Sequence, residues 1–298
     1  LRFTKSRDVR EPTFSERFDQ QGGGGNVDDF LVDGPITITT VRGGNPALAP
    51  EIADTLVAGL VYEPSWLEGL RFSADWYEIS IADAIVQIGL QEIVDRCEEG
   101  GPEQCANIQR DPVSTQISRI IQKQFNLAAD FIEGYDFEVQ YSMEPNLFDS
   151  QFESFRIRAL GGVLLDKTST SSSGRVTDQM GAYSLPELTA NITANYNIGP
   201  YGIQLQGRHI DGGKLSRTWV EGVDVDDNSV SSSTWWNGQL SYNGEMNNGG
   251  TWRVSLSVQN LFDQSPPIIA GGTTGAQRMN NQYDIYGRRY ALGLNATF

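Results

Sequence analysis

The chain has 298 residues, with 22 Lys plus Arg against 38 Asp plus Glu and a formal net charge of -16. No stretch approaches the roughly 18–20 continuous apolar residues of a membrane-crossing helix. The acidic balance argues against a nucleic-acid partner, and a lone His209 with two Cys excludes a His-based metal cluster and a disulfide-dense scaffold.

In chain order, the first predicted strand is Leu1–Ser6. The opening Leu1-Arg2-Phe3 has neither an initiator Met nor a charged-then-apolar leader, so it reads as a processed end or a cut piece. A long connection follows from Arg7 to Pro50. Within it Gly22–Gly25 reads as a flexible loop tip, because no Lys-Ser or Lys-Thr follows to make a phosphate loop. Strands Leu56–Tyr62 and Leu70–Ile81 are joined by a short turn through Pro64 and Gly69. A second long connection, Ala82 to Ala128, precedes strands Phe131–Tyr141 and Phe155–Val163. A third runs from Asp166 to Ser184.

Alternation is clearest in the second half. Leu188, Ala190, Ile192, Ala194, Tyr196 and Ile198 share one face, and Thr189, Asn191, Thr193, Asn195 and Asn197 share the other. After a tight turn at Gly199-Pro200, the pattern repeats through Tyr201, Ile203 and Leu205. It returns in Trp236, Leu240 and Tyr242, in Trp252, Val254, Leu256 and Val258, and finally in Tyr290, Leu292, Leu294, Ala296 and Phe298. The opposite faces carry mostly uncharged Asn, Gln, Thr and Ser. That makes about ten strands, most of them longer than the usual 5–6 residues and close to the 9–11 that cross a bilayer at a tilt.

Connections alternate short and long, which gathers the long ones (including Asp211–Ser231 and Asp263–Tyr283) at one end. This is the asymmetry of an antiparallel, up-and-down transmembrane β-barrel. Tyr62, Trp66, Tyr196, Tyr201, Tyr242, Trp252 and Phe298 cluster at the short-turn end, where Trp and Tyr favour the membrane–water boundary. Alternation alone leaves the inside undetermined: a soluble sandwich would bury the apolar face that a barrel turns to lipid.

The C-terminal third carries more specific signals. Val258-Gln259-Asn260-Leu261-Phe262-Asp263 is followed by Pro266-Pro267, then Tyr283-Asp284-Ile285-Tyr286-Gly287-Arg288-Arg289-Tyr290 and Gly293-Leu294-Asn295-Ala296-Thr297-Phe298. Upstream stand Arg10-Glu11-Pro12-Thr13-Phe14-Ser15-Glu16-Arg17-Phe18, Gly44-Asn45-Pro46-Ala47-Leu48-Ala49-Pro50-Glu51 and Ala53-Asp54-Thr55. In this order they resemble TonB-dependent outer-membrane receptors over essentially the whole chain. The resemblance implies the last ten or so strands of a barrel of the twenty-two-strand type, with the family's plug domain, energy-coupling segment and first barrel half absent from residues 1–298. It implies active import of a bulky, scarce ligand across the bacterial outer membrane, a saccharide or a siderophore, energised by the TonB complex through the plug. It also implies contact with outer-membrane lipid and lipopolysaccharide, and no cofactor. Gly293 and terminal Phe298 resemble the signal read by the barrel-assembly machinery, although Ala291 replaces the usual polar residue.

Other constellations have two readings. Cys97 and Cys105, bracketing Gly100-Gly101-Pro102, suit a disulfide in an outer loop of an oxidising envelope, and no His or further Cys supports zinc. Asp224, Asp226 and Asp227 look faintly like a calcium loop but lack its central Gly and distal Glu, so a solvated acidic loop is expected and no metal. Trp219 and Trp235 beside those carboxylates are candidate ligand contacts, whereas Trp236 falls in phase with the lipid-facing set. Arg288 and Arg289 either meet lipid phosphates or pair between strands. No nucleophile elbow occurs, and the pair Glu98-Glu99 has nothing to position it, so no catalysis is expected. A secreted, soluble all-β carbohydrate-binding module and a passive porin are the competing readings.

Overall fold

The computed structural model describes residues 1–32, 34–148, 152–170, 176–247, 249–267 and 282–298. Ten antiparallel strands form one continuous wall. They are β1 (Arg2–Arg10), β4 (Glu51–Tyr62), β5 (Leu70–Gln87), β7 (Ile117–Met143), β8 (Glu153–Thr170), β10 (Leu188–Ile198), β11 (Tyr201–Ile210), β14 (Ser233–Glu245), β15 (Thr251–Gln259) and β16 (Arg289–Thr297). The wall is an open arc, since among the described residues β1 and β16 each have a single neighbour.

Short turns join β4 to β5, β7 to β8, β10 to β11 and β14 to β15 at one end, and the long connections lie at the other. The apolar set faces outward. Ile203, Leu240, Leu256, Leu292 and Leu294 are all exposed, and cross-strand pairs such as Ile203↔Leu240, Leu240↔Leu256 and Leu256↔Leu292 hold them on one surface. An exposed band of this kind is what a lipid-facing barrel surface requires. At the short-turn end Tyr201, Tyr242 and Trp252 form an aromatic chain, with ring centroids 5.0 and 5.4 Å apart. On the same outward face the ring of Trp236 lies across Gly207, where a Cβ would sit 2.8 Å from it.

Several strands run beyond the predicted limits, and the long connections are themselves folded. β5 continues to Gln87, and β7 spans 27 residues. The expected loop Arg7–Pro50 holds the short helix α1 (Phe14–Phe18) and the hairpin β2 (Gln20–Asp28) and β3 (Pro35–Gly43). Gly22–Gly25 is therefore strand, not a loop tip, because its backbone pairs with Thr39, Thr40, Val41 and Ile38 of β3. The expected loop Ala82–Ala128 holds helices α2 (Leu90–Glu98) and α3 (Pro102–Cys105) and strand β6 (Ile108–Arg110). β3 pairs in parallel with Thr39–Gly43 against Arg119–Lys123 of β7, and β6 pairs with β7 as well.

These pieces build a cap with a dry core. Val27, Ile38, Ile88, Ile93, Val94, Ile117 and Ile120 are buried together, against Ile36, Leu90, Ile108 and Phe125. Smaller strands complete the long-loop end: β9 (Val176–Asp178) beside β8, and the pair β12 (Gly213–Lys214) and β13 (Ser229–Val230). Within the Asp263–Tyr283 connection, residues 268–281 lie outside the described residues.

Candidate functional site

The inner face of the wall is polar, as the alternation requires once the apolar face looks outward. From β10 onward it is built mostly of amides and hydroxyls, with Arg208, Arg253 and Glu245 among them. Asn237 Nδ2 donates to Gln206 Oε1 at 3.3 Å, Gln239 Nε2 to Ser257 Oγ at 2.9 Å and Asn197 Nδ2 to Ser154 Oγ at 3.1 Å. A cavity of about 1120 Å³ opens here at the short-turn end, lined by Arg156, Asn195, Gln204, Gln239, Ser241 and Arg253 among others.

The other half of the wall corrects the expectation of a mostly uncharged lining. Between β1 and β8 the inner face is ion-paired. Arg2 meets Asp75, Arg10 meets Glu51 at 2.6 Å, Arg158 meets Glu138 at 2.6 Å, and Lys167 meets Asp130 at 3.3 Å. The tidy strands from which an uncharged face was read all lie beyond Leu188.

The terminal motifs have clear local reasons. Thr13 and Glu16 form a reciprocal capping box on α1, and Arg10 bridges Glu16 and Glu51, which ties the helix to the top of β4. Asn45 and Asn126 then lock the loop before β4: Asn45 Nδ2 donates to the Gln124 carbonyl, and Asn126 Oδ1 accepts from the Ala49 N–H. In the Asn260-Leu261-Phe262-Asp263 run, Asn260 (φ 51°) and Asp263 (φ 56°) take left-handed conformations that Asn and Asp tolerate best. Asn260 is fully buried and bonds Gln264 through both ends of its amide. Leu261 N–H donates to the Trp236 carbonyl, whereas the Phe262 ring is exposed. Asp263 Oδ1 accepts from Arg288 N–H at 2.9 Å, and Gly287 follows with φ 71°. Arg289 pairs with Asp284 of the loop just before its strand and lies over the Tyr286 ring at 4.9 Å, a local contact and not a pairing between strands. Gly293 sits 2.9 Å from Ser255 Oγ at the position of its absent Cβ, and Phe298 is exposed.

The two candidate tryptophans part company. Trp219 is half-exposed, on a loop held from within by buried Asn228, whose Nδ2 donates to the carbonyls of Ser216 and Trp219. Trp235 is 5% exposed and packs against Tyr283 in a second core with Ile210 and Val230. It is thus enclosed rather than presented beside the acidic loop, because β14 places it on the inner face beneath the β12–β13 pair. Burial, reinforced by Tyr183, pushes the Tyr283 hydroxyl above its ordinary value. The carboxylates of Asp224 and Asp227 accept from backbone N–H groups of Val220 and Ser229. Bonds from the Ser229 hydroxyl and N–H hold Asp227 below the usual carboxyl value. Asp226 shares this loop and is exposed. Among the described residues no group of three or more His, Cys, Asp or Glu is arranged to hold a metal ion.

In the cap, Cys97 and Cys105 form a disulfide that joins α2 to α3. Sequence reasoning missed a buried ion pair in the same cap: Asp29, with no exposed side-chain surface, meets Arg110 at 2.8 Å. Burial would raise the Asp29 carboxyl, but bonds from Arg110 and from the N–H groups of Ile117 and Leu31 outweigh it and hold the carboxyl below its ordinary value.

The chain belongs to the TonB-dependent receptor β-barrel family: the family model "TonB dependent receptor-like, beta-barrel" matches residues 1–261. A search of curated protein sequences finds no match. Among solved structures, the chain resembles the siderophore receptor PirA from Acinetobacter baumannii at 16% identity, with a TM-score of 0.61, over 98% of this chain and 38% of that one. It resembles the ferric enterobactin receptor PfeA from Pseudomonas aeruginosa at 13% identity and TM-score 0.63, over 99% of this chain and 38% of that one. It also resembles the copper transporter OprC at 16% identity and TM-score 0.53, over 97% and 35%. The chain therefore spans little more than a third of the solved receptors it matches, and at these identities the likeness speaks for the fold.

Proposed function

We propose that residues 1–298 form the C-terminal wall and outer cap of an outer-membrane receptor that imports a bulky, scarce ligand with energy drawn through TonB. The observation that carries this reading is the inverted wall: exposed Leu and Ile outside, hydrogen-bonded Asn, Gln and Ser inside, and folded connections gathered at one end only. A soluble binding module would hide the apolar face, and a passive porin would not carry the terminal motifs. The long-loop end faces the cell exterior, where Trp219, Asp224, Asp226 and Asp227 are the exposed members of the candidate ligand set. In the complete receptor the plug and the remaining staves would close the lumen, and the assembly machinery would read Gly293 and Phe298.

Saccharides and ferric siderophores are the ligand classes this wall suits. Amide-rich inner surface matches sugar hydroxyls, and the receptors PirA and PfeA bear siderophore names. The test is uptake of labelled maltooligosaccharide and of labelled ferric enterobactin by cells expressing the full receptor, with and without TonB. TonB-dependent accumulation of either supports the reading. Release of the protein from cells without detergent, or uptake indifferent to TonB, overturns it.

A further inference from the structure

Among the described residues the β2 strand of the cap has one partner, β3, on one side. Its other edge shows which backbone groups it offers. Asp28 turns both away from β3: its N–H donates to Gln91 Oε1 at 2.7 Å, and its carbonyl accepts from Gln91 Nε2 at 3.1 Å. The side-chain amide of Gln91 thus sits where a peptide group of a further strand would sit. In an antiparallel pair the outward-turned residues recur every second position. Asn26, Gly24, Gly22 and Gln20 therefore offer the same N–H and C=O pair on the same edge, and among the described residues no backbone bond to another segment covers them.

Exposed edges are normally blunted by Lys, Pro, a bulge or an overlying element. From Gln20 to Asn26 this one has no Lys, no Pro and no register shift, and it is exposed over most of its length. The glycines leave no side chain to hinder an approaching chain. The free pairs recur at roughly 7 Å, two residues of strand, a spacing matched by the peptide groups of another extended polypeptide and by no repeating feature of a sugar or lipid.

We infer that the free edge of β2 is a docking rail for an extended peptide segment of another protein, added as a strand alongside Gln20–Asn26. A second copy of this chain fits poorly. β3 runs parallel to β7, so β2 runs away from the wall, and all copies in one membrane point the same way. A two-fold axis along the membrane normal would set two β2 edges parallel and level, whereas parallel pairing needs slanted, staggered bonds. The inference goes beyond ligand import and would survive a different ligand, but its outward orientation rests on the proposed membrane placement.

The test uses the full-length receptor in detergent and a fluorescent nine-residue peptide of alternating Thr and Val with a Lys at each end. Saturable binding is expected, with slowed hydrogen exchange at the amides of Gly22, Gly24 and Asn26 and no change at Gly23 and Gly25, which already bond β3. Gly24→Pro removes one outward donor without touching the β2–β3 ladder and should weaken binding at least tenfold. Gln91→Ala frees the Asp28 pair and should tighten it several-fold. A peptide N-methylated at every residue tests the same bonds against the unaltered receptor and should not bind. Absence of saturable binding, equal binding of the N-methylated peptide, or unchanged exchange at Gly22, Gly24 and Asn26 overturns the inference. So does receptor self-association that Gly24→Pro abolishes, which would give the edge to a second copy. Loss of uptake with peptide binding intact would instead count against the proposed function alone.

Discussion

The wall and the cap use the same apolar residues in opposite senses. On the wall, Leu256 and Leu292 stand opposite each other and both face outward. In the cap, Ile93 and Ile120 are wholly buried. β7 belongs to both: its lower part pairs with β8 from Ala129 to Met143, and its upper part puts Ile117 and Ile120 into the dry core. What decides the sense is the solvent. In lipid an apolar side chain is already among its own kind, so the wall is specified by its backbone ladder and its polar lining. In water, the cap must bury its apolar side chains to exist at all.

That difference predicts where each region breaks. Arg110→Ala leaves Asp29 charged and buried, which costs about 3–5 kcal/mol. Exchange of β2 and β6 amides should accelerate while the β14–β16 ladder stays protected. The same pair gives the cap a pH dependence of definite sign. The Asp29 carboxyl lies below its ordinary 3.8 in the folded cap, so its contribution is full above that value and is lost as pH falls through the folded one. Cap amides should therefore lose protection below about pH 4 before wall amides do.

Ile120→Ala opens a cavity in the dry core and should destabilise the cap by about 2–5 kcal/mol. Leu256→Ala should cost less, because lipid chains close over the site. Both are read from amide protection on heating. Leu256→Arg inverts the ranking, since a cation on the lipid face costs about 2–4 kcal/mol near the bilayer centre. Urea titration of folding into vesicles would measure it. Replacing Cys97 and Cys105 by Ser should cost the cap about 2–3 kcal/mol, by loss of a short ring constraint, with no change in the wall. Tyr242→Ala removes two aromatic contacts of the girdle and should cost about 1–3 kcal/mol in all, seen only in the vesicle titration.

The ten staves were legible because period-two alternation is a local signal that survives in a single strand. It fails where geometry interrupts it. At Glu133/Gly134 the register with β8 shifts, so Leu165 is an extra residue and the faces of β8 exchange beyond it. Val163-Leu164-Leu165 accordingly reads as an untidy run. The cap core was illegible for another reason. Val27, Ile38, Ile93 and Ile120 come from segments far apart in sequence, and no common period marks them. The disulfide was legible from Cys97 and Cys105, but the Asp29–Arg110 pair, 81 positions apart, has no sequence signature. Of the candidate ligand loop, the sequence placed Trp219 and the Asp run together. It could not show that Trp235, next to a lipid-phase Trp236, turns into a core.

The length of β7 has a practical consequence. Its upper part, from Ile117 to the first β8 pair at Ala129, is roughly 40 Å of strand. At its tip the turn Asp111–Gln116 carries Val113, 91% exposed, and Arg110 clamps the base of that turn to Asp29 and the Thr115 carbonyl. In the proposed membrane placement, a foreign epitope spliced in at Val113 would ride on a braced mast above the headgroups. With that placement, antibody should label it on intact cells, which would make this turn a display position for engineered vaccines and whole-cell biosensors.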